Sequence, residues 1–123
     1  MSAPLQAADL RFINTVAARR FAGGAAGPID AGAVDEAVAA ATEGTAFVRA
    51  ATLAAVLVNR HAFGSAPLQT ALLVLHCALA LAGFSLVAPQ GVLAGMIQQL
   101  AAGGDAAGLA RWLEDRAVPS AAG

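Results

Sequence analysis

The sequence predicts an all-α fold: a single-domain bundle of about six helices spanning residues 1–123. Three observations predict it. Apolar residues recur at spacings of three and four along the chain, the period of a helix with one buried stripe. Glycine- and proline-containing breaks fall at helix-length intervals, at residues 22–28, 43–45, 61–65, 83 and 103–104. No period-two alternation lasts more than a few residues, and neither an internal repeat nor a domain-dividing linker is evident.

Taken in order, Ser2 offers a cap for a first helix with Pro4 in its first turn, where a missing N–H is tolerated. Leu10, Ile13, Ala17 and Phe21 form its apolar stripe, and residues 22–28 end it in a loop. Asp30 is the expected N-cap of a second helix carrying Val34, Val38 and Ala41 on one face. A third helix is expected from about residue 46 to residue 59, with Phe47, Ala50, Leu53, Ala54 and Leu57 inward. Ser65 is the expected cap of a long apolar helix over about residues 66–82, with Pro67 in its first turn and Gly83 as its stop. That helix is expected at the buried centre of the bundle. Pro89 opens a fifth helix with Val92, Met96, Ile97 and Leu100 inward. Asp105 caps a sixth holding Leu109, Trp112 and Leu113, and the tail after about residue 118 is expected to fray.

Composition narrows the function classes. Seven basic residues against eight acidic ones give a net charge of −1, so the clear basic excess that nucleic-acid binding asks for is missing. A lone cysteine, Cys77, can form no internal bridge and fits a reducing compartment, here taken as the cytoplasm. The opening residues carry neither the basic nor the apolar region of a signal peptide. Residues 70–88 are uncharged and long enough to suggest a membrane span. His76 at mid-segment, the break at Gly83 and the lack of an aromatic or arginine belt favour a core helix instead.

The most informative stretch runs from Asn59 to Leu72: Asn-Arg-His-Ala-Phe-Gly-Ser-Ala-Pro-Leu-Gln-Thr-Ala-Leu. It resembles the signature of Fic and death-on-curing proteins, in which a helix ends in His-Pro-Phe. In that family a loop then supplies an acidic residue and Gly-Asn before a second helix begins with two basic residues and Thr-Ala. Residues 9–38 and 81–113 are similar to the family's flanking segments in the same order, with Leu81-Ala82-Gly83-Phe84 matching its Leu-Asn-Gly-Tyr turn. The resemblance implies a helical Fic-like (Fido) fold with an anion site at a helix N-terminus. Unpaired N–H groups and the helix dipole hold phosphates there, and the histidine acts as general base.

Residue by residue, His61, Phe63, Thr70, Ala71 and Leu72 match, and the phosphate-binding positions do not. Ser65 stands where the metal-holding acid belongs, Ala66 replaces glycine, Pro67 replaces asparagine, and Leu68 and Gln69 replace the two basic residues. Pro67 also removes a backbone N–H. Each lost charge-assisted hydrogen bond is worth roughly 1.5–3 kcal/mol. The expectation is a degenerate Fic-like chain with no cofactor, no metal, and neither nucleotidyl- nor phosphotransferase chemistry.

Two functions remain. One is a pseudoenzyme, toxin-like in framework, kept as a binding or regulatory module that pairs with a small protein or a second copy of itself. The other is a repurposed biosynthetic enzyme acting on a neutral or hydrophobic small molecule. His61 would then be its general acid or base, in a cleft lined by Asn59, Arg60, Phe63, Ser65, Pro67, Leu68, Gln69 and Thr70. Neither nucleic acid nor membrane is an expected partner. Without the resemblance, His61 reads as a loop histidine and Asn59 and Arg60 as exposed helix-end residues. His76 reads as a core histidine with one hydrogen-bond partner, Cys77 as a small core residue, and Asp35-Glu36 and Glu114-Asp115 as solvated pairs.

Overall fold

In the computed structural model, residues 5–23, 27–87 and 90–120 are described. Among them are six helices and one short pair of strands: α1 (Ala7–Phe21), α2 (Ala31–Ala40), α3 (Ala46–Asn59), α4 (Pro67–Leu81), β1 (Phe84–Leu86), α5 (Gln90–Ala101), α6 (Ala106–Arg116) and β2 (Ala117–Pro119). The all-α class is therefore correct.

The helices stack in three layers. α3 and α4 form the middle one, with α1 and α2 on one side and α5 and α6 on the other. Leu53 and Leu57 of α3 and Val74 of α4 meet Leu10, Val34 and Ala37 on the first side. Ala50, Ala51 and Ala54 of α3, with Leu75 and Leu79 of α4, meet Leu93, Ile97, Leu109 and Leu113 on the second. The alanines let α3 serve two apolar layers at close approach. Burying one such leucine contributes about 1.5–3 kcal/mol.

Side chains start three helices as expected of their residue types. Asp30 accepts from the Ala33 N–H at 3.1 Å, Thr45 from Val48 at 3.2 Å and Asp105 from Ala107 at 2.9 Å. Such caps are each worth about 1 kcal/mol. α5 ends with Gly103 at φ +97, the left-handed conformation that lets the Gly104 N–H reach back to the Gln99 carbonyl at 2.8 Å.

Several details differ from expectation. Ser2 and Pro4 lie outside the described residues, and α1 begins only at Ala7, where the Asp9 carboxylate accepts from the Gln6 N–H at 2.8 Å. Phe21 is 53% exposed at the end of the α1 stripe, where the helix runs past α2 and α4. It lies under the Arg20 guanidinium, 5.8 Å from its ring centroid. Asn14, not an apolar residue, fills the corresponding inward position. Pro89 is outside the described residues, and on α5 the inward residue is Leu93, one position along from the exposed Val92.

The apolar helix α4 buries one face rather than its whole surface. Thr70, Ala71, Val74, Leu75 and Leu79 are inside, whereas Leu81 is 40% exposed and His76 and Cys77 are half-buried. α3, packed against four other helices, is the central one. At 15 residues, α4 is only about 22 Å long at 1.5 Å per residue, short of the roughly 30 Å hydrocarbon core. Among the described residues no helix is long and apolar enough to cross a membrane.

The end of the chain is not frayed through Ser120. β1 and β2 pair antiparallel, Phe84 opposite Pro119 and Leu86 opposite Ala117, and the Ser120 N–H donates to the Gly83 carbonyl at 2.8 Å. Phe84 sits against Phe47 of α3 with ring centroids 4.9 Å apart, which anchors the strand pair to the core.

Candidate functional site

The chain leaves α3 through a tight reversal centred on His61. Its backbone is left-handed, at φ +51. The Ala62 N–H returns to the Leu57 carbonyl at 3.0 Å and the His61 N–H to Val58 at 3.3 Å, which together make a Schellman turn. Glycine favours this conformation, and histidine is among the few other residues seen in it. Ala62 packs with Leu57 beneath the turn, and the His61 side chain points outward and is exposed. No hydrogen-bond partner for that side chain is found among the described residues.

Beyond His61 the loop is clasped by the segment that leads into α2. The Asp30 N–H donates to the Ala62 carbonyl and the Gly64 N–H to the Pro28 carbonyl, both at 2.8 Å, placing Ile29 opposite Phe63. The approach is close on both sides, and at Gly64, which faces the Pro28 ring and backbone, it excludes a side chain. A Cβ on Gly64 would lie 2.8 Å from Pro28 Cδ, and one on Gly27 would lie 2.7 Å from Ser65 Oγ.

From the other side Asn14 of α1 reaches in. Its Nδ2 donates to the Ser65 carbonyl and to Thr70 Oγ1, each at 2.9 Å, and the Thr70 hydroxyl donates to the Ala66 carbonyl at 2.7 Å. Asn14 and Thr70 are fully buried, and Asn14 Oδ1 has no partner among the described residues. The N-cap of α4 is therefore Ala66 at φ +45, with no side-chain cap, rather than Ser65. The Ser65 carbonyl is turned toward Asn14, which draws the serine out of the capping position.

These contacts divide the nine expected site residues. Phe63 is 4% exposed and packed with Leu10, Val34 and Leu57, so it anchors the loop in the core instead of lining a cleft. Thr70 is also internal. Asn59, Arg60, His61 and Pro67 are exposed; Ser65, Leu68 and Gln69 are half-buried. Arg60 pairs with Glu36 of α2 at 3.6 Å in the open, a contact worth about 0–1 kcal/mol. No group of three metal-ligating side chains occurs among the described residues. His76, expected to hold one hydrogen bond in the core, is half-buried on α4 and has no such partner among the described residues. Burial pushes the Cys77 thiol up from its ordinary pKa, which leaves it a poor nucleophile near neutrality.

A cavity of about 470 Å³ lies elsewhere. It opens where α1 and α3 begin and α2 and α4 end, the opposite end of the bundle from the 61–66 loop. None of the nine expected site residues lines it.

No protein family, curated protein or solved structure matches this chain.

Asn14 and the 27–30 clasp escaped the sequence reading, as did Arg49, the one charged side chain lining the cavity among the described residues. Asn14 did leave a signal, since it stands on the same face as Leu10 and Ala17, where a polar residue must find buried partners.

Proposed function

We propose that this chain is a non-catalytic binding or regulatory module on a degenerate Fic-like framework, without nucleotidyl- or phosphotransferase activity. One observation carries the reading: the loop that would cradle phosphates has turned one of its donors to the protein itself and lost another to proline. The Gly64 N–H is bonded to Pro28, Pro67 has no N–H to offer, and Asn14 holds the Ser65 carbonyl. An anion arriving there would have to displace the Gly64 bond to gain that donor, with no basic side chain from Leu68 or Gln69 to compensate. Ala66 adds support for a degenerate motif, because it stands where the family carries glycine and holds a left-handed conformation that glycine favours.

The alternative, an enzyme with His61 as general acid or base, has less behind it. The exposed imidazole lacks an orienting partner among the described residues, and the backbone turn accounts for its position. The unbridged Cys77 suits a reducing compartment, and the proposal places the chain in the cytoplasm, partnered by a small protein, a second copy or a small molecule. Calorimetry with ATP, UTP and CDP-choline in magnesium tests the proposal. No heat of binding is expected, and micromolar binding of any of the three would overturn it.

A further inference from the structure

The cavity at the far end of the bundle is made by small side chains. Ala46, Ala50 and Ala78 line it where larger residues would close it, and Val38, Leu53 and Leu81 complete an apolar wall. Its volume, about 470 Å³, falls in the range of small-molecule sites. Arg49, half-buried, is the only formally charged residue lining it among the described residues.

The arginine is positioned in advance. Gly44, at φ +91 in the turn between α2 and α3, presents its carbonyl to Arg49 Nη1. No carboxylate lies within ion-pair distance of Arg49 among the described residues. No described residue takes its remaining donors, which lie beside a mostly apolar hollow that Gln6 and Thr42 also line. A planar guanidinium fork pairs best with a carboxylate, which it meets through two parallel hydrogen bonds. An amine would be repelled, a neutral molecule would leave the cation without a counter-charge, and a polyphosphate would set excess charge against the apolar wall.

We propose that this cavity binds a small monocarboxylic acid with a flexible apolar body, the carboxylate on Arg49 and the chain among Val38, Leu53 and Leu81. This names a ligand class for the binding module proposed above and rests on that reading only in that the chain binds its ligand without transforming it. The two proposals fail separately, because nucleotide binding tests the 61–66 loop and acid binding tests the opposite end.

The test is calorimetry of the full chain with octanoate, 1-octanol and octylamine. Octanoate is expected to bind one to one, and octanol about tenfold or more weaker for want of the charge-assisted bonds. Octylamine is expected to be weaker still. Arg49→Gln should lower octanoate affinity by about tenfold and leave octanol unchanged, and Arg49→Lys should recover part of the loss. Ala78→Leu, which fills the hollow from the half-buried face of α4, should weaken octanoate and octanol together, and it keeps the test decisive should Arg49→Gln not fold. Absence of octanoate binding, equal affinity for octanol, or octanoate affinity indifferent to Arg49→Gln or to Ala78→Leu would each overturn the proposal.

Discussion

Asn14 of α1 donates from Nδ2 to the Thr70 hydroxyl of α4 at 2.9 Å, with both side chains fully buried. The hydroxyl in turn donates a hydrogen bond to the Ala66 carbonyl, and Asn14 Nδ2 also donates to the Ser65 carbonyl. Two polar residues thereby fix where the loop ends and α4 begins. Thr70→Val keeps the shape and the backbone bond from residue 70 to the Ala66 carbonyl but strands an Asn14 N–H, and it should cost about 1–3 kcal/mol in urea unfolding. Asn14→Ala adds a small cavity and should cost about 2–3 kcal/mol. A loss below about 0.5 kcal/mol for both would show that this network does not hold the loop.

His61 and Ala66 bracket the same loop with left-handed backbones. An L-residue there gives up about 1–2 kcal/mol relative to the right-handed conformation. After the extra freedom glycine gains in the unfolded chain, Ala66→Gly should raise stability by about 0.5–1 kcal/mol. His61→Gly should not destabilise, whereas the β-branched His61→Val should cost at least about 1 kcal/mol. Thermal unfolding of the three variants separates this backbone role from a side-chain role, since a histidine needed for its imidazole would suffer equally from glycine and valine.

Gly64→Ala is expected to open the clasp. The new Cβ would meet Pro28 Cδ at 2.8 Å and the Pro28 carbonyl oxygen at 3.2 Å, neither of which is the far end of a flexible chain. The expected loss is about 1–3 kcal/mol, accompanied by faster exchange of the Asp30 amide, whose acceptor is the Ala62 carbonyl. Unchanged stability and exchange would mean that segment 27–30 is not tied to the loop.

Cys77 gives a pH dependence of known sign. Burial raises the thiol pKa in the folded chain, so the native state keeps its proton to a higher pH than the unfolded state does. The associated stability is fully present below the ordinary thiol pKa and is lost as pH rises toward the folded value. Melting temperature should therefore fall in mildly alkaline buffer, and Cys77→Ala should flatten that fall. Alkylation of the native protein at neutral pH should be slower than that of the denatured chain.

Local signals made much of the fold legible. Asp30 and Asp105 announced their helices as caps, and Gly83 and Gly103 announced the ends of α4 and α5, because capping is settled within a few residues. The spacing of Ala50, Leu53, Ala54 and Leu57 likewise marked the buried faces of α3. Strands β1 and β2 were invisible, since three-residue segments show no alternation and their pairing spans about thirty residues of sequence. The exchange of roles between Phe21 and Asn14 was hidden for a similar reason, as periodicity gives a face and tertiary packing decides what covers it. At the candidate site the loss of basic and acidic side chains was plain from Ser65, Leu68 and Gln69. That Gly64, Ser65 and Thr70 had been bound instead by Pro28 and Asn14 required the fold.

The most direct test of the committed loop is amide-resolved NMR of the full chain titrated with magnesium ATP. The Gly64 amide should exchange slowly, protected by its bond to Pro28, and the signals of Gly64, Leu68 and Gln69 should stay in place as nucleotide is added. Fast exchange at Gly64, with saturable shifts of these three amides at micromolar nucleotide, would contradict the account and restore an anion site to the loop.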